Sequence, residues 1–347
     1  MNFLQQQIKE ASQKYYTDGT SPLTDAEFDA LLEKERQQNP DSDLLKVGHG
    51  YDVDQDTTYG EKVSHKYGLV GSLPKARNYK EFMSELKDRN SKYILFTNKL
   101  DGQSIVCYFE NGIFVQAVTR GNGVQGIDIT DKIRRITHLD KLPDYTFTGA
   151  IRGEIVMSFE NFEIFHKIHP ESKNPRNSVA GLMNNKEITS DLDFVDVIFY
   201  TIMGSENRHF ASYFDVFDFL KTNLKDQKIV EYQFRMFSEF YDKEWKDSDV
   251  YAVKIADEPV PIKDLNEDEF LNEMMLRLKD KWYSIYPCDG IVAALDDLDV
   301  SGDIINYQSV AFKFKAESKE TFVTDIDWNL SKTGFLIPRI NFEPIEL

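Results

Sequence analysis

Apolar side chains recur at helical spacing from the first residues of the chain: Leu4, Ile8, Ala11 and Tyr15 fall on one stripe and predict a first helix. Asp18-Gly19 and Pro22 break it. Thr24-Asp25-Ala26-Glu27 then has the spacing of a capping box ahead of Phe28, Leu31 and Leu32, and Asn39-Pro40 closes a second helix. Residues 41–70 have no clear period and read as an ordered loop region. From about residue 92 to 200 the pattern changes to short strand-like runs, YILFTNKL, SIVCYF, FVQAVTR, FTGAIRGEIVM and FVDVIFYTIM, interrupted by helical patterns at 130–136 and 158–168. The stretch 210–285 is mixed and acidic, with one predicted helix at 266–280. GIVAAL and SVAFKFK return to strand, and the last thirty residues read as two or three strands. The class is therefore α+β, with a small helical N-terminal part followed by sheets and flanking helices. No repeat or low-complexity run is present.

The run TRGNGVQG, Thr119 to Gly126, contains G-x-G-x-x-G, the spacing of a dinucleotide-binding turn. That motif works only where a parallel strand feeds the glycines and the following helix aims its N–H groups at a pyrophosphate. Upstream, however, two β-branched and aromatic runs flank Asn111-Gly112, a pair suited to the positive φ angles of a tight hairpin. The strands here are antiparallel, so the glycines are predicted to form a loop and not a redox cofactor cradle.

The 347 residues allow two or three domains, and 41% hydrophobic content is that of a folded chain. No stretch is apolar for long enough to cross a bilayer, and the start lacks a basic region followed by an apolar run, so the expectation is a cytoplasmic protein. Cys107 and Cys288 lie in strand-like apolar runs and are expected to be buried thiols. A formal charge of −18 changes the picture more. Nucleic-acid affinity comes largely from lysines and arginines that displace counterions, so any DNA function needs a local basic patch, divalent cations or a second protein that supplies the grip.

Lys99-Leu100-Asp101-Gly102 stands where a strand ends in a turn. Taken alone it is a surface lysine before an Asp-Gly turn. Four further stretches follow in order: Arg152-Gly153-Glu154, Asn174-Pro175-Arg176-Asn177, Asp289-Gly290-Ile291-Val292, and Ala311-Phe312-Lys313-Phe314-Lys315. In this order and spacing they resemble the ATP-grasp-like nucleotidyltransferase core of covalent ligases. TRGNGVQGIDIT and NPRN narrow the resemblance to the NAD-dependent DNA ligases. Tyr15, the Asp25-Ala26-Glu27-Phe28-Asp29 run, His65 and Ser72-Leu73 are similar to that family's small helical domain and its connection to the core.

The resemblance implies that Lys99 attacks the α-phosphorus of NAD, expels nicotinamide mononucleotide and keeps AMP. Attack requires the neutral amine, whereas an unperturbed lysine has a pKa of about 10.4. Arg120, Lys313 and Lys315 are the candidate cations around the phosphates, and Mg²⁺ is the implied metal, with no ligand residues assigned. By the same resemblance Asp101 orients the lysine loop and the metal, Glu154 takes the ribose hydroxyls, Arg176 holds the phosphate region and Asp289 supports the metal or the lysine. Nicotinamide recognition falls to Tyr15, Asp25, Phe28 and Asp29, since aromatic faces and carboxylates suit a cationic ring; for Tyr15 and Phe28, helix–helix core is the competing role.

Three positions depart from the family pattern. Thr97 stands where a glutamate usually reads the adenine, Asn184 replaces an arginine, and Ala294 takes the place of a phosphate-contacting lysine. Lys315, where the family usually has proline, is expected to project beside Lys313 and supply the charge missing at 294. Ser331-Lys332-Thr333-Gly334 through Pro338 resemble the opening of the family's oligonucleotide-binding (OB) barrel, which two or three strands cannot close. The expected organisation is thus a helical domain at 1–70, an adenylation domain at 71–316 and a partial OB-fold segment at 317–347. A second ligase subunit would carry the remaining strands and the modules that grip nicked DNA. Two alternatives stay open in the sequence: a catalytically weakened NAD-binding or scaffold protein of the same fold, and a nucleotidyltransferase that uses ATP or GTP.

Overall fold

The structure, a computed structural model, describes residues 3–18, 23, 25–39, 42–45, 60–86, 91–236, 252–255, 258–261, 266–296, 299–301, 304–306, 309–313, 321–330 and 336–343. The chain divides into two compact units, Met1–Lys313 and Phe314–Leu347. The first begins with α1 (Phe3–Asp18) and α2 (Asp25–Gln38), then β1 (Lys62–Ser64), β2 (Lys75–Ala76) and α3 (Tyr79–Glu85). Next come β3 (Tyr93–Leu100), β4 (Gln103–Glu110), β5 (Ile113–Thr119), β6 (Gln125–Ile127), α4 (Thr130–Thr137), β7 (Gly149–Met157), α5 (Phe159–Ile168) and α6 (Pro175–Asn184). They are followed by β8 (Val195–Ser205), α7 (Tyr213–Asn223), β9 (Lys228–Ile229), β10 (Tyr232–Met236), β11 (Ala252–Ile255), β12 (Glu258–Pro261) and α8 (Glu267–Trp282). The unit ends with β13 (Cys288–Leu295), β14 (Asp299–Ser301), β15 (Ile304–Asn306) and β16 (Ser309–Lys313). The second unit contains β17 (Val323–Leu330) and β18 (Leu336–Phe342).

Two mainly antiparallel sheets make the frame, as the mixed pattern of short strands and helices predicts. One runs β10-β3-β13-β16-β2; the other runs β14-β15-β8-β7-β4-β5 with β9 beside β8. Asn111 and Gly112, at φ 50° and 74°, turn β4 into antiparallel β5, the hairpin expected from that dipeptide. The core lies between the sheets and under the helices. Ile105, Ile151, Ile155 and Phe199 of the larger sheet join Leu95 and Ala294 of the smaller one, with Val179, Leu182, Phe217 and Leu220 from α6 and α7. At Asp101-Gly102 the chain passes from the smaller sheet to the larger. A Cβ at Gly102 would lie 2.1 Å from the Ile155 carbonyl oxygen, so this close crossing requires glycine.

Two expectations change. Among the described residues, the 210–285 stretch holds two helices, not one. α7 is capped by the Ser212 side chain, and its buried Tyr213, Val216, Phe217 and Leu220 keep a helical spacing that the adjacent aromatics Phe214 and Phe219 blur in the sequence. Residues 41–70 include β1, which pairs with β6 some sixty residues on, so nothing local announces it. In the first helices, Ile8 and Ala11 are buried as the stripe predicts, while Thr24 of the capping box lies outside the described residues.

A buried charge fixes the helix that presents Arg176. The Lys132 ammonium, fully enclosed, donates to the carbonyls of Leu182 at 2.8 Å, Met183 at 2.6 Å and Asn185 at 2.5 Å, closing the C-terminal end of α6. Burial lowers its pKa to about 8. Lys132→Met should leave those carbonyls without a donor and cost about 3 kcal/mol, read as a lower urea midpoint.

In the second unit, the register pairs Ile326 with Ile340 and Trp328 with Pro338, which sets them on one face of the hairpin, with Asp327 and Arg339 on the other. Trp328 is 62% exposed, Ile340 55% and Phe342 56%.

Candidate active site

Lys99 is the penultimate residue of β3 and lies in register with Gly290 of β13, which in turn pairs with Lys313 of β16. Directly paired residues share a sheet face, so the two lysines project to the same side. A bulge between Cys288 and Gly290 breaks the ladder where Asp289 sits. The Asp289 carboxylate holds both cations: Lys99 Nζ lies 2.6 Å from Oδ1 and Lys313 Nζ 3.2 Å from Oδ2. The side chains of Lys99 and Asp289 keep 27% and 22% of their surface open, enough for a ligand to reach the amine.

Asp101 lies at the crossing between the sheets. Its N–H donates to the Pro287 carbonyl at 2.9 Å, tying the lysine loop to the segment that leads into Asp289. Its Oδ1 accepts Arg176 Nη1 at 2.9 Å. Arg176 occupies the first turn of α6, opened by Pro175 and by Asn174, whose side chain accepts from the Asn177 N–H at 2.8 Å.

TRGNGVQG is the turn that returns β5 to β6. Gly121 and Gly123 take φ 54° and 88°, and a Cβ at Gly126 would lie 1.7 Å from the Thr119 carbonyl oxygen. The glycines thus serve the turn, which sets Arg120. Arg120 N–H donates to the Ser104 carbonyl at 2.9 Å, and its Nη1 to Ser72 Oγ at 3.2 Å. His65 supports it from behind: Nε2 lies 3.1 Å from the Arg120 carbonyl and Nδ1 2.8 Å from the Tyr108 hydroxyl. A carbonyl only accepts, so Nε2 carries the ring proton and Nδ1 accepts from tyrosine. Burial lowers the His65 pKa and keeps the ring neutral.

Glu154 lies on β7, directly opposite Ser104 of β4. Burial pushes its carboxyl up to about 7, against the pull of Lys99, Arg120, Arg152 and Arg176. The folded chain therefore keeps this proton up to about pH 7, whereas an unfolded glutamate loses it near pH 4.3. This group's contribution to stability falls as pH rises through that window. Glu154→Gln should match the parent protein in Tm near about pH 4 and exceed it near about pH 8, a gap that thermal melts across the range will show.

Several neighbours were not legible from motifs. Arg152 Nη2 reaches Ser104 Oγ at 3.4 Å, and Ser104 Oγ meets the Tyr200 hydroxyl at 3.1 Å, beside Glu154. Arg152 stands inside the quoted Arg-Gly-Glu motif, yet only the β4–β7–β8 pairing brings Ser104 and Tyr200 to it. Cys288, expected to be buried, is partly buried beside Asp289 and takes a hydrogen bond from Asn98 Nδ2 at 3.4 Å.

The structure thus gathers Lys99, Asp101, Arg120, Glu154, Arg176, Asp289, Lys313 and Ser72. Leu73 is half-buried next to Ser72, and Phe28 is half-buried in α2. Tyr15, Asp25 and Asp29 fall in α1 and α2 with side chains outside the described set, and Lys315 lies outside the described residues. Asn184 is exposed at the far end of α6 from Arg176. Ala294 is 3% exposed and pairs with Leu95 and Ser309 in the main core. No helix among the described residues is long and apolar enough to cross a membrane.

This arrangement, a lysine amine held by a carboxylate among arginines at the meeting of two antiparallel sheets, suits attack on a phosphate ester. The model of the NAD-dependent DNA ligase adenylation domain matches residues 60–242, just over half the chain, and the chain belongs to this family. A DNA ligase of Clostridium botulinum (strain 657 / Type Ba4) is 27% identical over 380 residues, covering 100% of this chain and 51% of that protein. A DNA ligase of Leptospira interrogans is 29% identical over 361 residues, covering 99% and 48%. The chain spans about half the length of these curated relatives. Among solved structures, the ATP-dependent DNA ligase of bacteriophage T7 aligns with a TM-score of 0.34 at 10% identity, over 79% of this chain and 81% of that one.

Proposed function

We propose that Lys99 is the nucleophile of an NAD-dependent self-adenylation, the first step of DNA nick sealing. Lys99 Nζ forms a bond to the α-phosphorus of NAD, the bond from that phosphorus to the bridging oxygen breaks, and nicotinamide mononucleotide leaves with the electron pair while the amine releases a proton. The observation that carries this reading is the placement of Lys99 and Lys313 on one carboxylate, Asp289, at the open end of a sheet. Arg120, Arg176 and Lys313 balance the charge on the phosphates, Glu154 meets the ribose, and Asp101 keeps the lysine loop and Arg176 together. Lys315, two residues beyond Lys313, is assigned to the same cationic side by the alternation of a strand.

Mg²⁺ belongs to this reading as a companion of the dinucleotide phosphates. It binds characteristically through one or two carboxylates and substrate phosphates, and among the described residues no group of three His, Cys, Asp or Glu is placed to cage a metal. The helical segment 1–70 takes the nicotinamide end through Tyr15, Asp25, Phe28 and Asp29, 71–316 adenylates, and 317–347 opens an OB barrel. AMP then passes to a DNA 5′-phosphate in the cytoplasm. The −18 charge and the exposed apolar face of the β17–β18 hairpin support a second subunit that packs on that hairpin and grips the DNA.

Incubation with NAD and Mg²⁺ should add the mass of one adenylyl group to the intact chain, and ATP should add none. No gain with NAD would leave a non-catalytic member of the family, a reading that Thr97 and Ala294 favour; a gain with ATP alone would leave an ATP-using enzyme.

A further inference from the structure

Inward from Lys99, the sheet face that bears it loses its charge. The next row across the strands is Tyr232, Thr97, Val292 and Ala311, and the row beyond is Phe234, Leu95, Ala294 and Ser309. The polar side-chain atoms of these two rows are hydroxyls. That of Ser309 already meets the Tyr213 hydroxyl, at 3.4 Å. The charged groups lie at the other end: Asp101 and Arg176 at the crossing that follows β3, and Lys313 and Asp289 in the row of Lys99. A dinucleotide whose α-phosphorus meets Lys99 sets its phosphates among those cations, which leaves the Thr97 and Val292 row for the base.

The two departures from the family pattern coincide there. Thr97 pairs directly with Val292, and Ala294 is two residues further along β13, so 97 and 294 are diagonal neighbours on one face. Relative to that pattern an acid and a base are both replaced, which leaves the net charge of this face the same. What replaces them is neutral and, at 294, part of the packed core.

We propose that this chain reads its purine through a neutral floor centred on Thr97, and therefore accepts a 6-oxo purine nearly as well as adenine. This rests on the adenylation reading above. A carboxylate only accepts hydrogen bonds, so it favours a 6-amino group and repels a 6-oxo group. A threonine hydroxyl turns to donate or accept and satisfies either. Sites that hold a substrate N–H with a fixed partner discriminate by about 10⁴-fold or more, whereas apolar pockets manage about 10–200-fold.

The test is single-turnover release of nicotinamide mononucleotide, the product common to both substrates, from the chain incubated with Mg²⁺ and either NAD or nicotinamide hypoxanthine dinucleotide. Rates within about tenfold of each other are expected; a larger preference for NAD overturns the inference while leaving adenylation intact. Release from neither removes the adenylation reading and this one with it. Thr97→Glu should then shift the ratio toward NAD by about a hundredfold. Because the ratio is taken on one preparation, a reduced folded fraction cancels, and an unchanged ratio also overturns the proposal.

Discussion

Lys99→Met is expected to end AMP attachment, lowering single-turnover release of nicotinamide mononucleotide by at least about 10⁴-fold. The side chain keeps its length and apolar stem but loses the only atom of β3 placed to bond phosphorus. Lys99→Arg should fail equally, because a guanidinium stays protonated and holds no free electron pair for attack. Neither change should unfold the protein. Lys99 is partly open, and Asp289 keeps Lys313 as its partner when Lys99 is replaced, so no carboxylate is left unpaired. Gel labelling with NAD carrying a tagged adenylate, alongside a thermal melt, separates the loss of chemistry from a loss of fold.

Asp289→Asn should slow adenylation by about 10²–10³-fold with little change in Tm. The carboxylate holds Lys99 and Lys313 through different oxygens, so it sets the spacing between the attacking amine and a cation on the neighbouring strand. An amide of the same shape offers one acceptor oxygen and one NH₂ group, which repels an ammonium. The two lysines then part, and the amine meets the phosphate in the wrong place. If Asp289 served only to hold the sheet together, Tm would fall and the rate per folded molecule would not.

Much of this frame is legible in the sequence because its signals are local. Asn111-Gly112 dictates a hairpin through two positive φ angles, Lys99-Leu100-Asp101-Gly102 marks a strand ending in a turn, and Asn174-Pro175 opens a helix. The glycines of TRGNGVQG carry two meanings in sequence, and the antiparallel neighbours choose between them. What escapes is what depends on distant pairing. β1 meets β6 only after the chain has crossed from one sheet to the other. Ser104, Arg152 and Tyr200 converge because three strands lie side by side. Cys288 sits in an apolar run, yet next to the bulge it is only partly buried. Lys132 reads as a surface helix lysine until α6 is packed against it.

The decisive experiment is to treat the chain with NAD and Mg²⁺, digest it and locate the adenylyl group by tandem mass spectrometry. One adduct is expected, joined through nitrogen to Lys99 and absent when Lys99 is methionine. An adduct on Lys313 or any other residue, or a chain that binds NAD yet stays unmodified, would mean that the cluster around Asp289 is not the machinery of this reaction.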